Sequence, residues 1–414
     1  MRIWRSDEMR EQEHSRSYVT VAAAKYGRQR PARSQMRGSQ AGSKLRVALC
    51  TDGVFPHALG GMQRHSRLLA EHLARRDDLE LVVLHPHADR VFDPLLGIEE
   101  VRIAPLDEGR FYLRELWRYS GRVANALDKV KADVVLSQGF CVWKDMHRFS
   151  DRLIVHPHGL EMFQGITLKD RLIGAPFRMA LKHVVRRSAV TVSLGGKLTS
   201  LLQGLLVGSS GRVVVLPNAV EVPDIPPPYP TEQGPLVILF VGRFAFNKGI
   251  DVLLSVAERL IAEGRGKVFR FVLAGDGPER ARMEGAGLPV NVALAGKVDN
   301  ARLQELYAEC HALLLPTRFE GMPTVVLEAM ARSRPVLVSD VGASAELVSS
   351  ANGFLLPPGD ASALHAGLMR FAGLTTAQRA TLGEAGRVTA CARFTWEAVT
   401  NDFVSLFREV ARIH

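Results

Sequence analysis

The feature of this sequence that most constrains its fold is a regular alternation of short apolar runs with longer amphipathic segments. Residues 236–240, for example, are five consecutive apolar residues followed by a loop and then a helical pattern. Short apolar runs of this kind are typical of strands that are buried on both faces, as in parallel sheets. Strands that alternate with helices form doubly wound sheets. The sequence therefore predicts an α/β protein with parallel sheets.

Chain length and proline content predict two domains. The chain has 414 residues, 47% of them hydrophobic, which suits two cores of roughly 150 to 200 residues each. Prolines are dense just after residue 222, as expected of a semi-rigid connector. We expect the following organisation: an N-terminal Rossmann-like domain over residues 45–222, a connector over residues 223–234, a second Rossmann-like domain over residues 235–395, and a terminal helix over residues 396–414.

Residues 1–44 differ from the rest of the chain. They contain ten basic and four acidic side chains, a net charge of +6 out of +10 for the whole chain. Their Gly, Ser, Gln and Arg content predicts disorder, and a start codon assigned too early would explain them. A basic arm for anionic lipid is the functional alternative. Nucleic acid is not an expected partner, because no stacking aromatics or binding module accompany the charge.

Two acids, Glu320 and Glu328, stand eight residues apart around a predicted helix start. Pro323 is tolerated in the first turn of a helix, so residues 321–322 are interpreted as a loop and the helix as starting at Thr324. Eight residues span at most about 12 Å along a helix, so the two carboxylates can contact opposite ends of one elongated ligand. The free N–H groups between them can hold phosphate or sugar oxygens. Two solvated acids are the alternative interpretation.

Two cations follow the predicted strand at residues 236–240. Arg243 and Lys248 lie just past its carboxyl end, where ligands of open α/β sheets bind, and there they can hold a pyrophosphate. An ordinary basic surface pair is the alternative. The sequence contains no Asp-x-Asp pair, and its His and Cys residues are scattered. We therefore expect no metal, with the cations neutralising a leaving diphosphate.

The first half has two further candidate segments. Gly60 and Gly61 fall at the start of a helix predicted over residues 62–76, after an opening strand at residues 44–50, and glycine there lets a ligand approach the backbone. The Gly-x-Gly-x-x-Gly spacing of a dinucleotide site does not occur. His158 follows an apolar strand that begins at residue 153, and a capped or core imidazole is the alternative for it.

Together these segments resemble glycosyltransferase family 4, a large family of retaining enzymes with the GT-B fold. The resemblance covers nearly all of the chain beyond the basic tail. Its most specific part is the Glu-x7-Glu segment at residues 320–328. Supporting motifs occur in the family's order: Gly-Arg and Lys-Gly around Arg243 and Lys248, the Gly-Asp-Gly-Pro turn at residues 275–278, and the block at residues 352–360.

The resemblance implies two Rossmann-like domains facing across a cleft, with a last helix that crosses back to the first domain. It also implies a role for each candidate residue. Glu320 would hold donor-sugar hydroxyls beside the backbone of Gly321, Met322 and Pro323, and His158 would contact the same sugar. Glu328 would hold the ribose. The diphosphate would be bound by Arg243, Lys248, the Gly60–Gly61 pair and the backbone amides of Thr324 and Val325.

The implied activity is retaining transfer of a hexosyl-type sugar from a UDP- or GDP-sugar to a glycan or lipid-linked acceptor, in bacterial cell-envelope or exopolysaccharide synthesis. In the family the reaction occurs on one face of the sugar, and the departing phosphate helps to deprotonate the acceptor. Glu320 is therefore expected to position the sugar and not to act as a nucleophile. A nucleotide-sugar epimerase of the same architecture and a catalytically silent sugar-nucleotide-binding protein are the alternatives.

The sequence also predicts a cytoplasmic location. The four cysteines form no Cys-x-x-Cys pair, which favours reduced thiols, and no apolar run reaches the length of roughly 18 to 20 residues that spans a bilayer. Residues 168–187 are basic and partly amphipathic. We interpret them as a packed helix with a solvated basic face. Peripheral contact with an anionic membrane is the alternative, and it would suit a lipid-linked acceptor.

Overall fold

The protein contains two parallel sheets, each with helices on both faces. A computed structural model describes residues 44–58, 60–107, 112–163, 168–231 and 234–412, with the side chains of Lys169 and Asp170 excepted. The predicted basic tail lies outside the described residues, apart from Lys44 at its end.

The first half of the described chain builds a seven-stranded sheet. Its strands lie in the order β3-β2-β1-β4-β5-β6-β7, and every neighbouring pair is parallel. In chain order its elements are β1 (Leu45–Cys50), α1 (Gly61–Ala74), β2 (Leu79–His85), β3 (Glu99–Arg102), α2 (Tyr112–Val130), β4 (Val134–Gln138), β5 (Leu153–His156), α3 (Leu168–Val185), β6 (Val190–Ser193), α4 (Gly196–Leu206) and β7 (Arg212–Val215).

The second half builds a six-stranded sheet within the described residues. Its strand order is β10-β9-β8-β11-β12-β13, again parallel throughout. The elements are β8 (Leu236–Val241), α5 (Ile250–Ala262), β9 (Phe269–Ala274), α6 (Arg280–Ala286), β10 (Val292–Gly296), α7 (Asn300–Glu309), β11 (Ala312–Leu315), α8 (Thr324–Ala331), β12 (Val336–Ser339), α9 (Ser344–Leu347), β13 (Gly353–Leu356), α10 (Ala361–Ala372), α11 (Thr376–Arg393) and α12 (Trp396–Ala411).

Burial explains why the apolar runs form strands. The central strands β4, β5, β11 and β12 are buried at every position, because helices cover both faces of each sheet. The edge strand β3 is the opposite case, since its Glu-Glu-Val-Arg sequence leaves all four residues at least partly exposed. The prediction of two doubly wound parallel sheets is confirmed.

The strand order indicates where each sheet is expected to bind a ligand. In the first sheet β1 lies between β2 and β4, so the order reverses beside β1, and in the second it reverses beside β8. Ligands of open α/β sheets bind at such reversals, outside the carboxyl ends of the strands. The loops that follow β1, β5, β8 and β11 are therefore the ones that build the site.

The proline-rich connector is fixed to the second half of the chain. The fully buried Arg334 donates hydrogen bonds to the carbonyl oxygens of Pro227 (3.4 Å) and Pro228 (2.7 Å). Arg387 of α11 donates to the carbonyl oxygen of Pro223 at 2.8 Å. These bonds hold the connector against the second half in a defined conformation.

The last helix, α12, packs against the first sheet. Its buried Phe403 and Phe407 belong to one hydrophobic cluster with Val47 and Leu49 of β1. Thr395 caps the helix, and its side chain accepts a hydrogen bond from the amide of Ala398 at 3.2 Å. The last described helix thus packs on the first half of the chain.

The basic segment at residues 168–187 forms α3. Its last turns are packed, with Leu181 and Val184 buried, whereas Leu172, Ile173 and Met179 are 67%, 59% and 74% exposed. The packed-helix interpretation therefore fits its C-terminal part only. None of the described helices combines the length and apolarity that a membrane crossing needs.

Candidate active site

Two strand-end loops of the second sheet meet at an ion pair between Lys248 and Glu320. Lys248 ends a short 3-10 turn after β8, and Glu320 lies in the loop after β11. Gly249 follows at φ 69°, and an added Cβ there would overlap the carbonyl oxygen of Pro316. A glycine is required because the two loops touch at this point. The predicted cation and the predicted sugar-binding acid are thus in direct contact.

Arg318 fixes the position of this second loop. It donates two hydrogen bonds to the carboxylate of Asp251, at 2.7 and 2.6 Å, and its guanidinium lies 4.0 Å from the ring centre of Phe246. Burial alone would raise the pKa of Asp251, but the hydrogen bonds from Arg318 outweigh it and lower that pKa. This bidentate ion pair fixes the loop after β11 against the start of α5, beside Glu320.

Glu328 lies one turn into α8 and is buried, with 7% of its surface exposed. The hydroxyl of Tyr307 donates a hydrogen bond to its Oε2 at 2.9 Å, while Arg64 of α1 forms an ion pair with its Oε1 at 3.2 Å. Burial and the charge of Glu328 raise the pKa of Tyr307 well above its ordinary value. Tyr307 therefore stays protonated and remains a hydrogen-bond donor to Glu328.

The start of α8 differs in one detail from the prediction. Thr324 opens the helix as expected, but Pro323 is extended (φ −72°, ψ 111°) and precedes the first turn instead of lying within it. The predicted place of Pro323 in the first turn is thus wrong by one position. Its ring fixes the φ angle of the capping residue, and the amides of Thr324 and Val325 are left at the open helix end.

A cavity of about 330 Å³ lies between the two halves. Gly61, Arg64, Thr324 and Glu328 are among the residues that line it. Gly60, with φ 153°, stands at the capping position of α1, so the helix begins at Gly61, one residue before the predicted start at residue 62. The helix starts of α1 and α8 and the carboxylate of Glu328 therefore border one space.

Gly321 and Met322 contact the first half of the chain. A Cβ placed on Gly321 would lie 3.4 Å from the carbonyl oxygen of His158 and 3.7 Å from the Cα of Gly159. The side chain of Asn218 donates a hydrogen bond to the carbonyl oxygen of Met322 at 2.8 Å. The Glu320 loop is thus held against the strand-end loop that carries His158.

His158 has a left-handed backbone, with φ 59°, just after β5. Its Nε2 forms a hydrogen bond with Oε1 of Gln138 at the end of β4. Burial, and repulsion from His156 and His65, hold the pKa of His158 well below its ordinary value. The imidazole is therefore neutral at neutral pH.

Unlike Lys248, Arg243 is joined by its side chain to no other predicted site residue among those that the structure describes. It is exposed, and no carboxylate among the described residues lies within ion-pair distance of it. Its backbone follows Gly242, which is next to Gly275 at the end of β9. A guanidinium in this position is available to an anionic ligand.

Sequence reasoning missed Arg64, His65, Tyr307 and Gln138. His65 carried a usable signal, because it lies four residues before Leu69 on the apolar face of the predicted helix. Tyr307 and Gln138 carried none, since each reaches the site from an element that bears no motif. The structure alone brings them to Glu328 and His158.

Two family models match the chain. The model described as Glycosyltransferase Family 4 matches residues 59–222, and the model described as Glycosyl transferases group 1 matches residues 235–372. Together they include the Gly60–Gly61, His158, Lys248 and Glu320 positions.

Curated relatives match over part of their length. The 2-deoxystreptamine glucosyltransferase of Streptomyces kanamyceticus is 30% identical over 228 residues, which are 51% of this chain and 58% of that protein. A putative teichuronic acid biosynthesis glycosyltransferase of Bacillus subtilis is 32% identical over 133 residues, 32% of each chain. The chain thus spans from about a third to somewhat over half of the length of these relatives.

A solved structure matches the fold over nearly the whole chain. Sucrose-phosphate synthase from Thermosynechococcus elongatus superposes with a TM-score of 0.74 at 20% identity, covering 90% of this chain and 100% of that one. The likeness extends over both sheets and agrees with the order of the two family models. The two family models together match most of the chain, which is therefore built of glycosyltransferase domains, the first of them of Glycosyltransferase Family 4, in the GT-B fold.

Proposed function

We propose that this protein is a retaining glycosyltransferase that moves a hexosyl-type sugar from a nucleoside diphosphate sugar to a glycan or lipid-linked acceptor. The observation that carries the proposal is the junction of Lys248 and Glu320 at the carboxyl ends of β8 and β11. It brings a cation and a carboxylate together beside the start of α8. Glu328 then lies eight residues further on, in the cavity between the halves.

Each residue has a separate task in this proposal. Lys248 and the exposed Arg243 bind the diphosphate and stabilise the charge that develops as the glycosidic bond breaks. The amides of Thr324 and Val325 donate to the same phosphates from the helix start. Glu320 and the neutral His158 hold the sugar, while Glu328 accepts hydrogen bonds from the ribose. The leaving phosphate takes the proton of the attacking hydroxyl, which keeps the reaction on one face.

A donor panel and one matched pair of variants test the donor assignment. The wild type is incubated with UDP- and GDP-sugars, with and without extracted lipid-linked glycans, and the products are identified by mass spectrometry. Lys248→Ala should lower kcat about 100-fold or more with the active donor, because one group that stabilises the developing charge is removed. Lys267→Ala, an exposed lysine on the same half, is the control and should retain wild-type activity.

The same experiment separates the alternatives. Conversion of the donor sugar without acceptor would indicate an epimerase. Donor binding with neither transfer nor conversion across the panel would indicate a silent binding protein. Wild-type transfer by Lys248→Ala would show that the diphosphate assignment is wrong.

The first half carries an amphipathic surface, and this surface supports the proposal that the acceptor is lipid-linked. A groove of about 680 Å³ is lined by Trp117, Trp143 and Phe177, and the exposed apolar residues of α3 lie on the same half. The exposed Lys182 follows on α3. We propose that this surface contacts the anionic inner face of the plasma membrane from the cytoplasm, since apolar side chains and basic side chains act together in such binding.

Vesicle sedimentation tests the membrane contact. The protein should bind vesicles of phosphatidylglycerol more tightly than vesicles of phosphatidylcholine, and Leu172→Asp should weaken that binding. Leu95→Asp is the matched control, because Leu95 is 93% exposed and lies outside this surface. Equal binding to both vesicle types, or equal loss in the two variants, would contradict the proposed surface.

A further inference from the structure

Three histidine side chains from distant parts of the sequence meet in the first half of the chain. His65 comes from α1, His156 ends β5, and His158 follows two residues later. The ring centre of His65 lies 5.2 Å from that of His156 and 5.0 Å from that of His158, and the last two rings are 3.8 Å apart. One ring nitrogen of each histidine lies within 4.8 Å of the others.

Four of the six ring nitrogens of this cluster have no hydrogen-bond partner in the described structure. In the part of the chain that the structure describes, both ring nitrogens of His65 and both of His156 are buried without a hydrogen-bond partner. Buried polar groups are nearly always paired, because leaving one unpaired costs free energy. Because each imidazole has one nitrogen with a lone pair, His65 and His156 together offer two unused lone pairs to a cation.

The third histidine is already oriented as metal ligands are. Its Nε2 contacts Oε1 of Gln138, and because a carbonyl oxygen only accepts, this nitrogen carries the hydrogen. Nδ1 of His158 is then left with its lone pair. Metal-binding histidines commonly donate their second ring N–H to an oxygen in this way, which fixes the tautomer.

We propose that His65, His156 and His158 form a binding site for a borderline divalent cation of the Zn²⁺ class. Three protein nitrogens with one open position are a common arrangement for zinc, with Zn–N distances of about 2.0–2.1 Å. The three nitrogens lie within 4.8 Å of one another, and the stacked rings of His156 and His158 would have to turn on binding so that their in-plane lone pairs meet at one ion. The bare cluster would then be the apo form of the site.

Occupation of the site would regulate transfer, and this step rests on the proposed function. The cation would take the imidazole nitrogen of His158, which is assigned to the donor sugar, and would place a positive charge near the loop at Gly321. We expect bound Zn²⁺ to inhibit transfer reversibly. Binding itself requires neither donor nor acceptor.

Cobalt spectroscopy tests the site directly. The protein is purified without a histidine tag, in a Cys391→Ser background because Cys391 is exposed and a thiol binds cobalt. After removal of metal with a chelator, Co²⁺ should bind at one ion per chain with the intense visible absorption of tetrahedral coordination. Zn²⁺ should then abolish that absorption by displacing Co²⁺.

Variants assign the signal to the three histidines. His65→Leu and His156→Leu should each abolish the cobalt absorption, since an apolar side chain fits the buried position but offers no ligand. His72→Gln is the matched control on the same helix, and it should bind Co²⁺ as the parent does, because His72 lies outside the cluster. Absorption that survives in both leucine variants would overturn the proposal.

A second measurement does not depend on the variants. Zn²⁺ that binds the folded state should raise the Tm of the protein, as any ligand of the native state does. An unchanged Tm at saturating Zn²⁺ together with no cobalt absorption would show a packed histidine cluster without a metal. If Co²⁺ binds but no sugar is transferred, the metal site stands and the proposed function fails.

Discussion

At the scale of single residues, the structure shows that the carboxylate of Glu328 is shared. Tyr307 bonds to one of its oxygens and Arg64 to the other, from the opposite half of the chain. In the proposed function, a ribose hydroxyl that donates to Oε1 of Glu328 competes with Arg64 for that oxygen. The side chain of Arg64 is 47% exposed, so water screens this pair and its net stabilisation is at most about 1 kcal/mol.

Replacement of Arg64 tests this competition. Arg64→Ala should lower the Kd for the nucleoside diphosphate by up to about fivefold, because the competing partner of Glu328 is removed. Arg67→Ala, on the same helix and paired with Glu71 at 2.8 Å, is the control and should leave the Kd unchanged. Titration calorimetry gives both values. Weaker binding by Arg64→Ala would mean that Arg64 contacts the nucleotide itself.

Residue scale is also where sequence reasoning reached its limit. Lys248 and Glu320 could be predicted, because each follows an apolar strand and strand ends gather at one edge of a parallel sheet. The contact of His65 with His156 could not, since 91 positions separate them and only the packing of α1 on the first sheet joins them. The apparent scatter of histidines in the sequence therefore hid a cluster.

At the scale of elements, helix starts were predictable and helix destinations were not. The start of α12 follows from Thr395, whose side chain caps it. The hydrophobic periodicity of a helix does not indicate which of two sheets it will cover. The expectation that the last helix returns to the first domain came from the family resemblance. The apolar face of α12 belongs, through Phe403 and its neighbours, to the hydrophobic cluster that contains Val47 and Leu49 of β1.

Truncation of Phe403 tests the contribution of α12 to the first half. Phe403→Ala should reduce the free energy of unfolding by about 3 to 5 kcal/mol, because a fully buried ring is lost and a cavity remains. Val388→Ala in α11 is the control, since Val388 is 60% exposed and should change stability by less than about 0.5 kcal/mol. Urea unfolding measures both. A cost below about 1 kcal/mol would mean that α12 is docked only loosely.

At the scale of the whole molecule, polar contacts between α4 and the segment that leads into α9 also join the two halves. Lys197 at the start of α4 forms an ion pair with Asp340 at 2.9 Å. Glu346 of α9, which also pairs with Arg393 of its own half at 3.3 Å, accepts a hydrogen bond from the amide of Gly196 across the two halves at 3.2 Å. These contacts are polar and largely exposed, so they can form and break without exposing a core.

Removal of one of these contacts should open the cleft. Glu346→Ala should increase the radius of gyration in small-angle X-ray scattering and raise the donor KM up to about fivefold, because the hydrogen bond from the Gly196 amide, which contributes about 1 kcal/mol to closure, is lost. Glu258→Ala, an exposed acid on α5, is the control and should change neither value. An unchanged radius in Glu346→Ala would show that closure depends on other contacts.

The chain passes between the two halves twice, and the two passages lie side by side. The chain leaves the first half at Val220 and comes back to it at Thr395, and these two residues form a parallel β-bridge. The amide of Val220 also donates a hydrogen bond to the carbonyl oxygen of Phe394 at 2.8 Å. Beyond this point Arg334 and Arg387 already fix the connector to the second half. Because the two crossings are adjacent and bonded to each other, a hinge for opening of the cleft would lie at this one place.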